Sequence, residues 1–117
     1  MAAPNVVNVA TITGKTAVQA VGTSATAIVS NSAASGKVFK VNALYVSNVD
    51  GTSNAEINVD LYRSTTAYHI AKTVIVPADA SLDVISKPIY LEEGDSLRLT
   101  ANASGDLEAV CSYEEIS

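Results

Sequence analysis

From Tyr68 to Ser117 the chain sets apolar residues in short alternating or clustered runs, each closed by a turn-forming group: Pro77-Ala78-Asp79-Ala80, Glu92-Glu93-Gly94-Asp95 and Ala103-Ser104-Gly105-Asp106. Runs of this length bounded by Gly, Pro, Asp and Ser are the pattern of antiparallel strands. It predicts strands over 67–72, 73–76, 81–85, 87–91, 96–101 and 107–116. Upstream, 37–49 is the longest strand candidate, and Asp50-Gly51 followed by Thr-Ser-Asn reads as a hairpin turn into 55–63. In that strand Ile57, Val59 and Leu61 share one face, with Glu56, Asn58, Asp60 and Tyr62 on the other, the signature of a half-exposed antiparallel strand. Before residue 36, Val7, Val9 and Thr11 alternate as an extended arm, and 17–21 and 26–29 read as short strands. The β-branched residues and the breaks at Gly14, Gly22 and Gly36 argue against a long helix there.

About eight or nine strands in one chain of 117 residues define an all-β fold. The expected architecture is an antiparallel two-sheet β-sandwich, jelly-roll or immunoglobulin-like. A single domain spans 1–117, with 1–16 either an extended N-terminal arm or the first strand. Composition adds that its core is thin. Ala and Val dominate, Phe39 is the one Phe, and there is no Trp. A small core of this kind favours further burial against copies of the same chain.

Charge narrows the partners. The net charge is −5, and residues 1–49 carry no acid, only Lys15, Lys37 and Lys40. Residues 91–117 carry Glu92, Glu93, Asp95, Asp106, Glu108, Glu114 and Glu115 against Arg98 alone. An acidic chain without clustered Lys or Arg lacks the electrostatic footprint of a nucleic-acid binder. The asymmetry also allows the first half of one subunit to meet the second half of another. The simpler reading of it is an acidic solvated surface. No apolar run approaches the roughly 18 residues of a membrane span, and the first residues lack the basic segment and apolar stretch of a signal peptide.

Little in the chain carries chemistry. His69 is the one histidine and Cys111 the one cysteine. Zinc sites generally draw three or four such ligands, and no nucleophile elbow of the form G-x-S-x-G occurs. Cys111 alternates with Leu107, Ala109 and Tyr113 on an apolar face and reads as a buried free thiol. Glu92, Glu93 and Asp95 could offer oxygens to a hard cation, but their spacing matches no calcium loop. Asn102-Ala103-Ser104 fits an N-glycosylation acceptor and equally a loop start. No catalytic residue, cofactor or metal is expected.

The stretch 41–117 carries a resemblance. Tyr45-Val46-Ser47-Asn48 with Asp50-Gly51, Val59-Asp60-Leu61-Tyr62, Ile70-Ala71, the run from Val74 to Pro77, the run from Leu91 to Arg98, and Ser112-Tyr113-Glu114-Glu115-Ile116 together resemble small virion structural proteins of tailed bacteriophages, cyanophages especially. The resemblance implies a non-enzymatic protein that decorates or stabilises the capsid or forms part of the neck or tail. It implies a virion location, with assembly in the host cytoplasm. The expected partners are copies of itself, as a homo-oligomer with a trimer favoured, and another virion protein such as the major capsid protein. Nucleic acid and membrane are not expected partners. In the charge-poor segment 2–16, Pro4, Val6, Val7, Val9 and Ile12 are the expected subunit or particle contacts. The alternative is a receptor- or carbohydrate-binding β-sandwich module.

Overall fold

Strands form wherever β-branched and aromatic residues alternate with polar ones, nine of them among the residues that the computed structural model describes, 4–117. Residues 1–3, which begin the expected arm, lie outside the described residues. The strands are β1 (Ile12–Ala20), β2 (Thr26–Ser30), β3 (Val38–Asn48), β4 (Ala55–Arg63), β5 (Thr66–Val76), β6 (Ser81–Asp83), β7 (Ile89–Leu91), β8 (Ser96–Ala101) and β9 (Leu107–Ile116). All their pairings are antiparallel, and they build the two-sheet sandwich that the alternation calls for.

One sheet runs β1-β9-β3, and the far side of β3 is shared by β6, against Tyr45 to Ser47, and β7, against Phe39 to Val41. The other runs β2-β8-β4-β5. β1 and β2 therefore lie in opposite sheets, as do β3 and β4, and β8 and β9. A constant-type immunoglobulin sandwich instead keeps its first two strands in one sheet. Between the sheets the inward residues of each strand meet: Val41, Leu44, Val46, Ile57, Val59, Leu91, Leu97, Leu99 and Cys111 are fully buried. Each such aliphatic side chain contributes about 1.5–3 kcal/mol by leaving water. Phe39 and Tyr113 pack with ring centroids 5.7 Å apart at the edge of this core.

Two buried asparagines fasten the loops at the two ends. At one end Asn31 donates Nδ2–H to the carbonyls of Lys37 and Leu91 at 2.9 and 3.0 Å, while its Oδ1 accepts from the Ser35 hydroxyl. Its backbone exchanges bonds with the 92–95 turn through Asp95 O and Gly94 N. At the other end Asn48 donates Nδ2–H to the carbonyls of Ser53 and Val76, both at 2.9 Å, and accepts from Asp50 N. Every polar atom of these two amides is paired, so their burial leaves no hydrogen-bonding group unsatisfied.

Several expectations change. The strand expected over 17–21 is β1, Ile12–Ala20, which runs through Gly14 where a break was expected. Asp50-Gly51 does not turn a hairpin: β3 and β4 belong to different sheets, and Gly51 has no positive φ. Asp50 Oδ1 accepts from Thr52 N at 2.9 Å in a side-chain turn, which frees the connection to cross between sheets. The segment expected to extend through Val7, Val9 and Thr11 instead folds back at 5–8, with Asn5 O accepting from Asn8 N at 3.0 Å and Asn5 Oδ1 from Val7 N at 2.9 Å, while Thr11 continues the β1 register against Ser117. Runs 67–72 and 73–76 are one strand, β5, with a kink where Thr73 has φ 50° and donates its N–H to Asn58 Oδ1.

The β4–β5 hairpin turns on Ser64 and Thr65, with φ 50° and 62°. Two consecutive left-handed residues suit Asn-Gly and strain a β-branched Thr. Replacing Ser64 with Asn and Thr65 with Gly together is expected to raise the unfolding free energy by about 1 kcal/mol, read as a higher urea midpoint at unchanged slope.

Candidate assembly surface

On β9, Leu107, Ala109 and Cys111 face the core and Glu108 and Val110 face out. Register then aligns Val18 of β1, Val110 of β9 and Tyr45 of β3 in one row across the outer face of the five-stranded sheet. These three remain 74%, 42% and 47% exposed. Next to them, Ala20, Glu108 and Ser47 line up on one side, and Thr16, Ser112 and Ala43 on the other. An open hollow of about 340 Å³ lies at the β1–β9 end of the row, lined by Val18, Gln19, Ala20, Glu108, Ala109 and Val110. Its lining holds one carboxylate and neither His69 nor Cys111.

A second apolar row, Ile12, Ile116 and Val38, crosses the same face at its end. By alternation these side chains point away from the sandwich interior. Even so, Val38 and Ile116 are buried, and they stand outside the main core cluster. The segment 4–11 is held at this corner, since Ala10 N and Thr11 N both donate to Ser117 O and Ser117 N donates to Thr11 O, each at 2.9 Å. The expected contact residues divide accordingly: Pro4 and Val9 are half-buried, whereas Val6, Val7 and Ile12 are exposed, Val7 at 82%.

Charge on the molecule is organised in three clusters that spacing along the chain does not reveal. Glu115 takes Lys15 Nζ at 2.7 Å and also Lys37, so its carboxyl is held below the usual range by those hydrogen bonds, and Lys15 is raised by the same contact. Asp60, buried on the outer side of β4, accepts from Arg98 Nε at 2.9 Å, and the Arg98 guanidinium lies 3.9 Å from the Tyr62 ring centre. A cation over an aromatic face is attracted by the ring quadrupole.

The third cluster closes the 92–95 turn. Arg63 donates Nε–H and Nη2–H to the two carboxylate oxygens of Asp95 at 2.7 and 2.6 Å and reaches Glu92 at 2.8 Å. Asp95 also accepts from Glu92 N at 2.8 Å, and Glu93 accepts from Gly36 N at 2.9 Å. The carboxylates that could have offered oxygens to a cation are thus engaged within the protein. Burial pushes the Asp95 carboxyl up, but Arg63 and the Glu92 N–H together outweigh it and hold the group below its ordinary value. Gly94 takes φ 89° at the apex, a conformation that a side chain resists.

Of the remaining candidates, His69 is exposed on the outer strand β5, opposite Asp60 in register. Asn102 caps the start of β4, its Oδ1 accepting from Glu56 N at 3.0 Å. Cys111 is fully buried, and burial pushes its thiol up to about 11. No helix of the described residues is long and apolar enough to cross a membrane.

No protein-family model and no curated sequence matches the chain. Among solved structures, the sandwich is similar to a Bacillus endospore appendage protein, from a family of disulfide-linked pili. The TM-score is 0.55 at 14% identity, covering 92% of this chain and 88% of that one. The likeness is one of fold. A pentameric capsid protein from metagenomic phage sequences gives a TM-score of 0.40 at 20% identity, over 86% of this chain and 60% of that one, too loose to bear on the fold.

The Asp95 carboxylate is depressed in the folded state, so its pairing stabilises fully above the ordinary carboxylate range and is lost as pH falls through the lower folded value. Replacing Asp95 with Asn is expected to cost about 1–3 kcal/mol at neutral pH, discounted for the half-exposed Arg63. It should also flatten the loss of stability between pH 7 and about pH 3, measured by urea denaturation across that interval. For Cys111, thiol labelling of the native protein is expected to proceed at the rate of global opening and to accelerate in urea in step with unfolding.

Proposed function

We propose that this protein is a non-enzymatic structural subunit of a phage virion that decorates or stabilises the capsid or forms part of the neck or tail. One observation carries this reading: a rigid sandwich presents the apolar row Val18, Val110 and Tyr45 across three strands of one outer face. A contiguous apolar stripe of this kind, flanked by small and polar residues, suits contact with another protein. The order β1-β9-β3 with β6 and β7 in one sheet, and β2-β8-β4-β5 in the other, supports a jelly-roll reading in which β6 and β7 share the place of one strand. Its loops are short turns fastened by buried asparagines and ion pairs, which favours a fixed surface over a moving lid. The resemblance of 41–117 to phage virion proteins supplies the setting. Its partners in this reading are copies of itself and a shell protein.

Mass spectrometry of purified particles from the source phage is expected to find the chain at stoichiometric copy number. Absence from the particles, together with selective binding on a glycan array, would replace this function with the sugar-binding alternative. Val110→Asp in recombinant protein is expected to leave the urea midpoint within about 0.5 kcal/mol of wild type, as for an outward surface position. It should weaken attachment to particles lacking the protein by at least about tenfold.

A further inference from the structure

The four outer boundaries of the two sheets differ in how they are protected. β2 has five residues and an irregularity between Ala27 and Val29, and β6 and β7 have three residues each. β5 is long, but its pairing with β4 shifts register twice and Thr73 kinks it. Short strands, bulges and kinks are the usual means of stopping a sheet from adding another strand. β1 has none of them. It runs nine residues in unbroken register with β9, contains no Pro, and carries one charge, Lys15, which is tied to Glu115.

The direction of its free hydrogen-bonding groups follows from its ends. Thr11 and Ser117 exchange both backbone bonds, and Val21 N donates to Leu107 O. In an antiparallel pair the residues that bond alternate. The odd residues of β1 thus bond to β9, and Ile12, Gly14, Thr16, Val18 and Ala20 turn their N–H and C=O groups outward. Those five residues are uncharged.

We propose that β1 pairs with β1 of a second copy, antiparallel about a two-fold axis at Thr16, joining two five-stranded sheets into one. In that register all nine residues overlap and every outward hydrogen-bonding residue meets another. The side chains then pair large with small: Ile12 lies against the partner's Ala20, Gly14 against the partner's Val18, and Thr16 against the partner's Thr16. Gly14 leaves room, because a Cβ placed there has nothing within 4 Å. Facing threonines are a favourable cross-strand pair. Shifting the axis to residue 15 would set two Lys15 side chains opposite each other, which opposes that register. Charge favours a second copy at this edge over any other. In a chain of net charge −5, residues 12–20 hold no acid, so two copies meeting there bring no carboxylate against carboxylate. An isologous contact of this kind closes as a dimer.

The proposal rests on the assembly role only in requiring that copies meet. A chain absent from particles that still pairs through β1 would overturn the function and keep the pairing. A particle component that is monomeric in solution would do the reverse. The test uses the full chain. A Thr16→Cys variant places two thiols across the axis at the roughly 5.5 Å Cα spacing of a hydrogen-bonded pair, within disulfide reach. Val18→Cys places its two copies four residues out of register, roughly 13 Å apart along the strand. Under mild oxidation Thr16→Cys is expected to form covalent dimer at least about tenfold faster than Val18→Cys. Thr16→Pro removes an N–H that β9 does not use, so it is expected to weaken dimerisation by at least about tenfold in sedimentation. At a concentration where the wild type is also monomeric, its thermal midpoint should stay near that of the wild type. Wild-type protein that is monomeric at all accessible concentrations, or equal cross-linking of the two cysteine variants, overturns the proposal. If Thr16→Pro does not fold, the cysteine pair decides.

Discussion

The five-stranded sheet depends on β9 lying between β1 and β3. Its ten residues hydrogen bond on both sides, to Ile12–Ala20 and to β3, and they supply Leu107, Ala109 and Cys111 to the core. Without β9, β1 has no place in the sheet and β3 is left with only the short β6 and β7. Its placement also determines the exposed surface. The same alternation that turns Cys111 inward turns Val110 outward, and the two neighbours in register bring Val18 and Tyr45 beside it. Core and exposed apolar row are two sides of one strand.

Around that strand, polar groups act locally. Asn31 and Asn48 each satisfy several backbone groups from separate loops, and Arg63 with Asp95 closes the turn that delivers β8. None of these builds a cleft with converging reactive groups. Their carboxylates and amides are consumed by the fold and hold its loops.

Much of this was legible in the sequence, and the failures have a common cause. β4, β8 and β9 match their expected limits because a buried face against a polar face leaves a period of two, and the turn formers Asn54, Ser64, Asp95, Asn102 and Asp106 mark their ends. Cys111 falls inward as its alternation predicts. By contrast, β1 is longer than expected because Gly14, read as a break, sits within a strand whose partner is nearly one hundred residues away. Asp50-Gly51 is a local code, and nothing local tells a turn which sheet the next strand will join. The row Val18–Val110–Tyr45 is invisible until register is known, and so are the pairings of Arg63 with Asp95 and Arg98 with Asp60. What the sequence concealed was not chemistry but which distant segments become neighbours.

The distance along the chain between β1 and β9 has a consequence in time. At typical translation rates of about 5–20 residues per second, β1 is made roughly 5–20 s before the strand that will cover one of its sides. During that interval β1 has two open edges rather than one, and nascent chains on neighbouring ribosomes present the same strand at high local density. Chaperones would meet this protein chiefly as an unshielded first strand awaiting its last.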